Sequence, residues 1–560
     1  MKKIILLFLA ACLIQNIISQ NYVKIDVDLQ KEINLRNPSD SIRINIILNQ
    51  QYDQNELSTK VSVFSKKEDQ RNFVVSELKR FSKETQQGVI DFLNNRTSVS
   101  KVQSFWIANY INCYANIEDI EKLSLRSDVL IIGFDKEQCM IPEVEKTLLP
   151  SSPTREIASN ILKVQANQVW GLGYEGEGIV VGVVDTGVNY DHLDLRDHMW
   201  THPTFPSYFP YHGWDFYNND NNPMDDNGHG THCAGTVASD GSAGTQAGVA
   251  PKALIMAIKV WDNAGYGSAS QMCAGLQFAV DNGANVISMS GGIGGGGSDA
   301  ERIQFRITMI NVLQAGIIAA VAAGNEGPGS FFYVSPPYSI RVPGNCPPPW
   351  LHPDQSTKGG LSAVVSVGAT DNSDNIAGFS SLGPVTWQSI LGYNDYPYNP
   401  GMGLIRPDVC APGVDIKSCA YDNNSGYYQS GWSGTSMATP CVAGTMALML
   451  SKQPNLSPDE ICRILETTAV RLPNISSPKG NIFGSGRIDA YAAILNLLAC
   501  PSINFFNQVV VNSTNITNCS DINVQNVKVQ NGAKLTLQAA GAVNIIDNFE
   551  VEASSTLDIK

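Results

Sequence analysis

In GWSGTSMATPCVAG, residues 431–444, Ser436 stands among glycines and small side chains directly ahead of an apolar run. A serine at a helix start lies at the positive end of the helix dipole, and its own backbone N–H is free to bind an oxyanion. Pro440 is tolerated in a first helical turn, where the N–H it lacks would have had no partner. Asp185 closes the apolar run IVVGVV and is followed by Thr186 and Gly187. A carboxylate at the end of a buried strand is costly unless paired. By itself Asp-Thr-Gly reads equally as a turn cap or as half of an aspartic-protease dyad, which needs a second carboxylate to share its proton; no second such triplet occurs. Two of the seven histidines, His229 and His232, fall in NGHGTHCAG. Their spacing could hold a metal, but the usual hydrolytic motif puts Glu beside the first His and spaces the pair by four, and neither holds. Gly228, Gly230 and Thr231 would instead let the His229 imidazole stand exposed at a helix start. Asn325, just past IIAAVAAG, is either a turn residue or an amide aimed at a developing oxyanion, a contact worth about 3–4 kcal/mol.

These groups need a frame that brings distant segments to one edge. From about 175 onward, short apolar runs (IVVGVVDTG, ALIMAIKV, NVISMS, IIAAVAAGN, SAVVSVGAT) alternate with helical stretches such as ASQMCAGLQFAVDNG and RIQFRITMINVLQAG. Continuous Val/Ile/Ala strands separated by helices predict an α/β fold, a parallel sheet covered on both faces, with functional groups at the strands' carboxyl ends. Before it, residues 40–140 read as a small mixed domain: IRINIILN as a strand, VSELKRFSKETQQGVIDFLNN as a helix, and YINCYANIEDIEKLSLRSDVLIIGF as strand, helix, strand. After Cys500 the composition shifts to Asn, Val and Thr. There NVKVQNGAKLTL (526–537) aligns with NFEVEASSTLDI (548–559), matching Asn526 with Asn548, Val529 with Val551 and Leu535 with Leu557. That period predicts turns of a β-solenoid or a stacked β-module.

At 560 residues the chain exceeds one ordinary domain. Its formal charge of −14 lies wholly in residues 151–560, which argues against a nucleic-acid or other polyanion partner. Lys2 and Lys3 precede an apolar run, Ile4 to Ile14, too short to span a bilayer and laid out as a secretory leader ending near Ser19. Leu9-Ala10-Ala11-Cys12 offers a lipoprotein box as the less favoured alternative, its apolar run being short. No later segment is apolar enough for a membrane helix, so an exported, secreted or surface-associated protein is expected. Export permits disulfides among the twelve cysteines. Loss of Cys12 leaves an odd number; Cys233 is the expected buried free thiol, and Cys410 with Cys419 a plausible bridge.

Asp-Thr-Gly after a strand, then His-Gly-Thr-His, Ala-Gly-Asn and Gly-Thr-Ser-Met-Ala-x-Pro, in that order over residues 155–499, resemble the subtilisin-like serine proteases, or subtilases. The resemblance implies Ser436 as nucleophile, His229 as general base, Asp185 as the carboxylate orienting it, and Asn325 with the Ser436 N–H as oxyanion hole. It implies a substrate bound as an added strand against Ser290, Gly291 and Gly292, and a structural role for His232. Residues 20–150 resemble the family's inhibitory propeptide, a partner to be removed by a cut within 143–160. The expected organisation is a leader at 1–19, propeptide at 20–150, catalytic domain at 151–499 and β-rich module at 500–560. No metal or cofactor is needed for the chemistry. The family often carries structural calcium, but no calcium loop matches here residue by residue. The expected function is a secreted serine endopeptidase made as a zymogen and acting on polypeptides. The alternatives are an inactive peptide-binding protein of the same fold, or a surface-attachment protein working through the C-terminal module. One departure from the family pattern is the Pro-rich insertion SPPYSIRVPGNCPPPWLHPDQ, expected to rim the cleft as a stiff wall.

Overall fold

The computed structural model describes residues 24–559 apart from 142–144, 147–150, 153, 203–211, 352–354, 391, 399–402, 473–477, 500–502, 519–520 and 540–541. The expected leader, Cys12, the lipoprotein box and Cys500 lie outside the described residues, as does part of the 143–160 stretch expected to be cut. The chain divides into two compact units, one ending at Ala490 and one beginning at Tyr491.

The first unit opens with an antiparallel sheet of β1 (Ile42–Leu48), β2 (Ser100–Phe105), β3 (Tyr110–Ala115) and β4 (Val129–Phe134), in the order β2-β3-β1-β4. Helices α1 (Lys67–Asn94) and α2 (Ile117–Ser124) accompany it. Alternation along β1 sends Ile42, Ile44 and Ile46 into a core with Val89, Leu93, Ile111, Ile120 and Leu123. Ile47 points the other way, into a larger apolar cluster that continues into the rest of the unit. A short strand, β5 (Gln138–Cys139), leaves this sheet.

The remainder of the unit is a seven-stranded sheet in which every pairing is parallel. Its elements in chain order are β6 (Val180–Asp185), β7 (Gly213–Asp215), α3 (His229–Ala238), β8 (Leu254–Lys259), β9 (Tyr266–Gly267, outside the sheet), α4 (Ala269–Asp281), β10 (Val286–Met289), α5 (Asp299–Gln314), β11 (Ile318–Ala322), β12 (Val364–Thr370), β13 (Val409–Pro412) and α6 (Thr435–Lys452). The strand order is β13-β12-β11-β10-β6-β8-β7. Helices cover both faces, as the alternation on β6 requires. A Cβ on Gly182 would meet Ala279 of α4, and one on Gly275 of α4 would meet Val184, whereas one on Gly230 of α3 would meet the side chain of Asp185.

The β1–β4 domain packs onto α4 and α5. Its Trp106, Ile107, Val74 and Leu78 share one apolar cluster with Met272, Leu276, Ile303 and Ile307. Two of its carboxylates reach the N-terminal turns of these helices: Asp135 Oδ1 accepts the Ser270 N–H at 3.0 Å, and Asp26 Oδ2 accepts that of Ala300 at 3.0 Å. Helix starts carry unsatisfied N–H groups and positive potential, so both contacts tie the domain down.

The second unit contains two three-stranded parallel sheets: Ile503–Val510, Ile522–Val529 and Val543–Val551 in one, Thr514–Asn518, Lys534–Ala539 and Thr556–Ile559 in the other. Val529 pairs with Val551 and Leu535 with Leu557, the registers the sequence repeat predicts.

The nine cysteines among the described residues, Cys233 included, are all free thiols. The expected Cys410–Cys419 bridge is therefore absent. Cys410 Sγ lies against Gly368 on the neighbouring strand of the main sheet, and Cys419 Sγ lies against Gly235 of α3, so each thiol faces a different element.

Candidate active site

Asp185 ends β6 fully buried, and its Oδ1 accepts the Thr186 N–H at 2.8 Å and His229 Nδ1–H at 2.7 Å. His229 is the first residue of α3, after Gly228 at φ +102°. A Cβ on Gly230 would come within 2.0 Å of the Gly187 carbonyl oxygen, so only glycine lets the helix start close onto the Asp-Thr-Gly turn. His229 is 1% exposed, buried rather than open as expected.

Asp225 holds the loop before His229. It accepts the N–H groups of Asn227, Gly228 and Thr231 and the hydroxyls of Thr186 and Thr231. Burial pushes its pKa up despite these bonds. Sequence reading missed this residue, although Asp-Asp-Asn-Gly just ahead of a helix is a capping signal that could have found it.

Helix α6 starts at Thr435, so Ser436 lies within its first turn and not before it. Pro440 is consequently inside the helix, and the Ser436 carbonyl four residues earlier loses its usual N–H partner. Ser290 supplies the replacement: its Oγ–H donates to Ser436 O at 2.9 Å, while Ser436 Oγ–H donates back to Ser290 O at 2.8 Å. Thus Asp185 and His229 meet directly, whereas the Ser436 hydroxyl is turned to Ser290. His229 Nε2 makes no hydrogen bond among the described residues. Cys233 Sγ joins the two halves, 3.5 Å from Ser436 O and 4.0 Å from His229 Nδ1. Burial first, and the Asp185 charge second, raise its pKa well above the ordinary thiol value, so it stays protonated and is neither nucleophile nor good metal ligand.

Asn325 lies beyond β11, and its Oδ1 accepts both the N–H (2.9 Å) and the hydroxyl (2.8 Å) of Thr435. A backbone donor at that position fixes the oxygen there and turns the amide nitrogen away from Thr435. Thr435, the residue beside Ser436, is the second positioning group that sequence reading missed.

Gly291 and Gly292 border a cleft that the chain itself enters. β5 pairs antiparallel with β9, the Met140 N–H donates to Gly265 O at 2.9 Å, and the Gly292 N–H donates to Met140 O at 2.8 Å. A Cβ on Gly291 would lie 2.8 Å from Met140 O and 2.4 Å from the Trp261 ring. Cys139 and Ile141 then line a cavity of about 760 Å³ together with His229 and Asn325.

Among the described residues, two groups cluster closely enough to share a cation: Asp185, His229 and Cys233, and His192, Asp194 and Cys419. In the second, Asp194 is already engaged by Ser239 Oγ–H, the Ala243 N–H and the Tyr428 hydroxyl, and burial raises the pKa of Cys419. His232 belongs to neither group; its ring stacks on Trp432 at 4.7 Å. The His229–His232 spacing therefore assembles no zinc site among the described residues.

Residues 176–489 match the Subtilase family. The chain is 34% identical over 335 residues to thermitase of Thermoactinomyces vulgaris, covering 59% of this chain and 94% of thermitase. It is 31% identical to serine protease AprX of Bacillus subtilis (strain 168), covering 64% of this chain and 79% of AprX. It is 30% identical over 471 residues to bacillopeptidase F of the same organism, covering 78% of this chain but only 29% of that much longer protein.

Proposed function

The chain belongs to the subtilase family, and from that membership and its cleft we propose that it is a secreted serine endopeptidase made as a zymogen. The observation that carries this reading is the 2.7 Å Asp185–His229 contact, bordering a cleft in which residues 138–140 already lie as a bound strand.

In the proposed reaction Ser436 Oγ turns from Ser290 O to His229 Nε2 and attacks the substrate carbonyl as His229 takes its proton. Asp185 holds Nδ1–H in place and stabilises the imidazolium. The oxyanion is bound by the Asn325 amide N–H and the Ser436 backbone N–H. His229 then gives its proton to the departing amine, and water releases the acyl group by the reverse order of proton transfers. No metal is required for the chemistry, and the Asp194 carboxylate beside His192 is already met by Ser239, Ala243 and Tyr428 without a cation.

Residues 20–150 act as the inhibitory propeptide, their described part anchored on α4 and α5 and filling the cleft with β5. No helix among the described residues is long and apolar enough to cross a membrane, which fits export through the leader at 1–19. The test is expression of Ser436→Ala: it should hydrolyse no internally quenched peptide and should remain uncut between 141 and 160 when made alone. A mutant that still matures by itself would remove self-processing, and one that still hydrolyses peptide would remove Ser436 as nucleophile.

A further inference from the structure

The Pro-rich insertion returns to the cleft at Arg341. Ile293 and Val342 form an antiparallel bridge with both hydrogen bonds made, at 2.8 and 3.0 Å, and the Arg341 N–H donates to Ala323 O at 2.9 Å. These bonds fix the Arg341 backbone between the segment that leads from β11 to Asn325 and the Gly292 edge. Its guanidinium is nearly buried and divides its donors. Nε and Nη2 both point at Glu326 Oε1, at 2.8 and 2.5 Å, while Glu326 Oε2 accepts from Ser381 Oγ at 3.2 Å. Nη1 faces the other way, donating to Gly292 O at 2.8 Å and to Met140 O at 3.0 Å.

Burying an ion pair is a poor way to gain stability, because desolvation offsets most of the attraction. What this pair achieves is aim: Glu326 holds the planar fork so that one N–H pair reaches across the cleft wall. When the 138–141 strand departs, Nη1 keeps Gly292 O but loses its other acceptor. A charged donor is then left directed at the place of a main-chain carbonyl.

We infer that Arg341 is a substrate-binding residue, whose Nη1–H donates to the carbonyl of whichever substrate residue takes the Met140 position. This rests on the proposed function, in which residues 138–141 follow the substrate's track. The contact is to backbone, so it favours extended polypeptides of sufficient length whatever their side chains. Glu326 is its positioning residue.

The experiment uses processed protein and a series of peptide anilides lengthened one residue at a time toward the N-terminus. At the length where kcat/KM rises, the peptide bond at that step is replaced by a trans-alkene, and the ratio of the two substrates' kcat/KM is taken within each protein. Hydrolysis of any anilide by the wild type bears on the endopeptidase reading, whereas this ratio bears on Arg341 alone. In the wild type it includes the bonds from both Gly292 N–H and Arg341. In Arg341→Met, and in Glu326→Gln/Arg341→Met where no carboxylate is left unpaired, the ratio should fall about tenfold, the size of a charge-assisted hydrogen bond. A general loss of activity cancels in the ratio. The same ratio in wild type and both variants would overturn the inference and leave Arg341 as a wall residue.

Discussion

The Asn325 side chain illustrates how a single residue is prepared. Thr435 donates to its oxygen twice, through backbone and hydroxyl, so the donor end of the amide is the one an oxyanion can meet. If Asn325 is the oxyanion donor proposed here, Asn325→Leu removes a contact made chiefly in the transition state, so kcat should fall by about two to three orders of magnitude with little change in KM. Steady-state kinetics on one peptide decides it, and an unchanged kcat would reduce Asn325 to a turn residue. Asp185, His229 and Ser436, the triad proposed here, were legible because each sits in a local pattern of small neighbours at a strand end or helix start. Thr435 was not read, because its partner comes from another segment; Asp225 carried a local capping signal, but its bond to Thr186 joins a distant one. Asn325 lies 110 residues from Thr435, and Asp225 serves Thr186 from 39 residues away.

At the scale of elements, helix α6 was expected to begin after Ser436 and begins before it. Sequence cannot show that Ser290 Oγ waits to replace the N–H that Pro440 lacks, and without that bond the earlier start would leave a buried carbonyl with only the weak Cys233 thiol as donor. The solenoid repeat was legible only where its period is constant. Asn526 and Asn548 stand 22 apart, but Asn507 and Asn526 stand 19 apart, so the first coil escaped alignment although its strand pairs in register. The three asparagines form a ladder, with Asn526 donating to Asn507 and accepting from Asn548, and Asn526 holds φ +53°. Left-handed backbone costs a residue with a Cβ about 1–2 kcal/mol, less when a short polar side chain bonds locally, and costs glycine nothing. Asn526→Ala should therefore lower the melting transition of the second unit more than Asn526→Gly does. Thermal unfolding of the full chain checks the order, and the reverse order would refute the conformational argument.

Over the whole molecule, the contact between the β1–β4 domain and the parallel-sheet part was not foreseeable in detail, since it joins residues far apart in the chain. One such contact sets a pH dependence. The Lys67 ammonium is buried without a hydrogen-bond partner among the described residues, and burial pushes its pKa down to about 8, against a weaker opposing pull from Glu460 on the helix Pro458–Thr468. Released from this contact the group returns to its ordinary value of about 10.4. The bound form thus favours neutral Lys67. Below about pH 8 both forms are charged and binding carries the full cost of burying the charge, a cost that disappears as pH rises through the window to about 10.4. The cut propeptide should inhibit more tightly at pH 10 than at pH 7, and Lys67→Met should remove that slope and tighten inhibition at pH 7 on the order of tenfold or more. Inhibition constants of wild type and variant across this range test it; an identical slope in both would exclude Lys67 as the cause.

In the proposed mechanism the Ser436 hydroxyl, activated by His229 and Asp185, is the nucleophile. The most direct measurement is labelling of the processed protein with a serine-directed phosphonate, followed by peptide mapping by mass spectrometry. One phosphonate per chain is expected, on Ser436, and it should be lost in both Ser436→Ala and His229→Ala after each variant's propeptide has been removed by added wild-type protein. No label on properly processed wild-type protein, or a label on another residue, would contradict it.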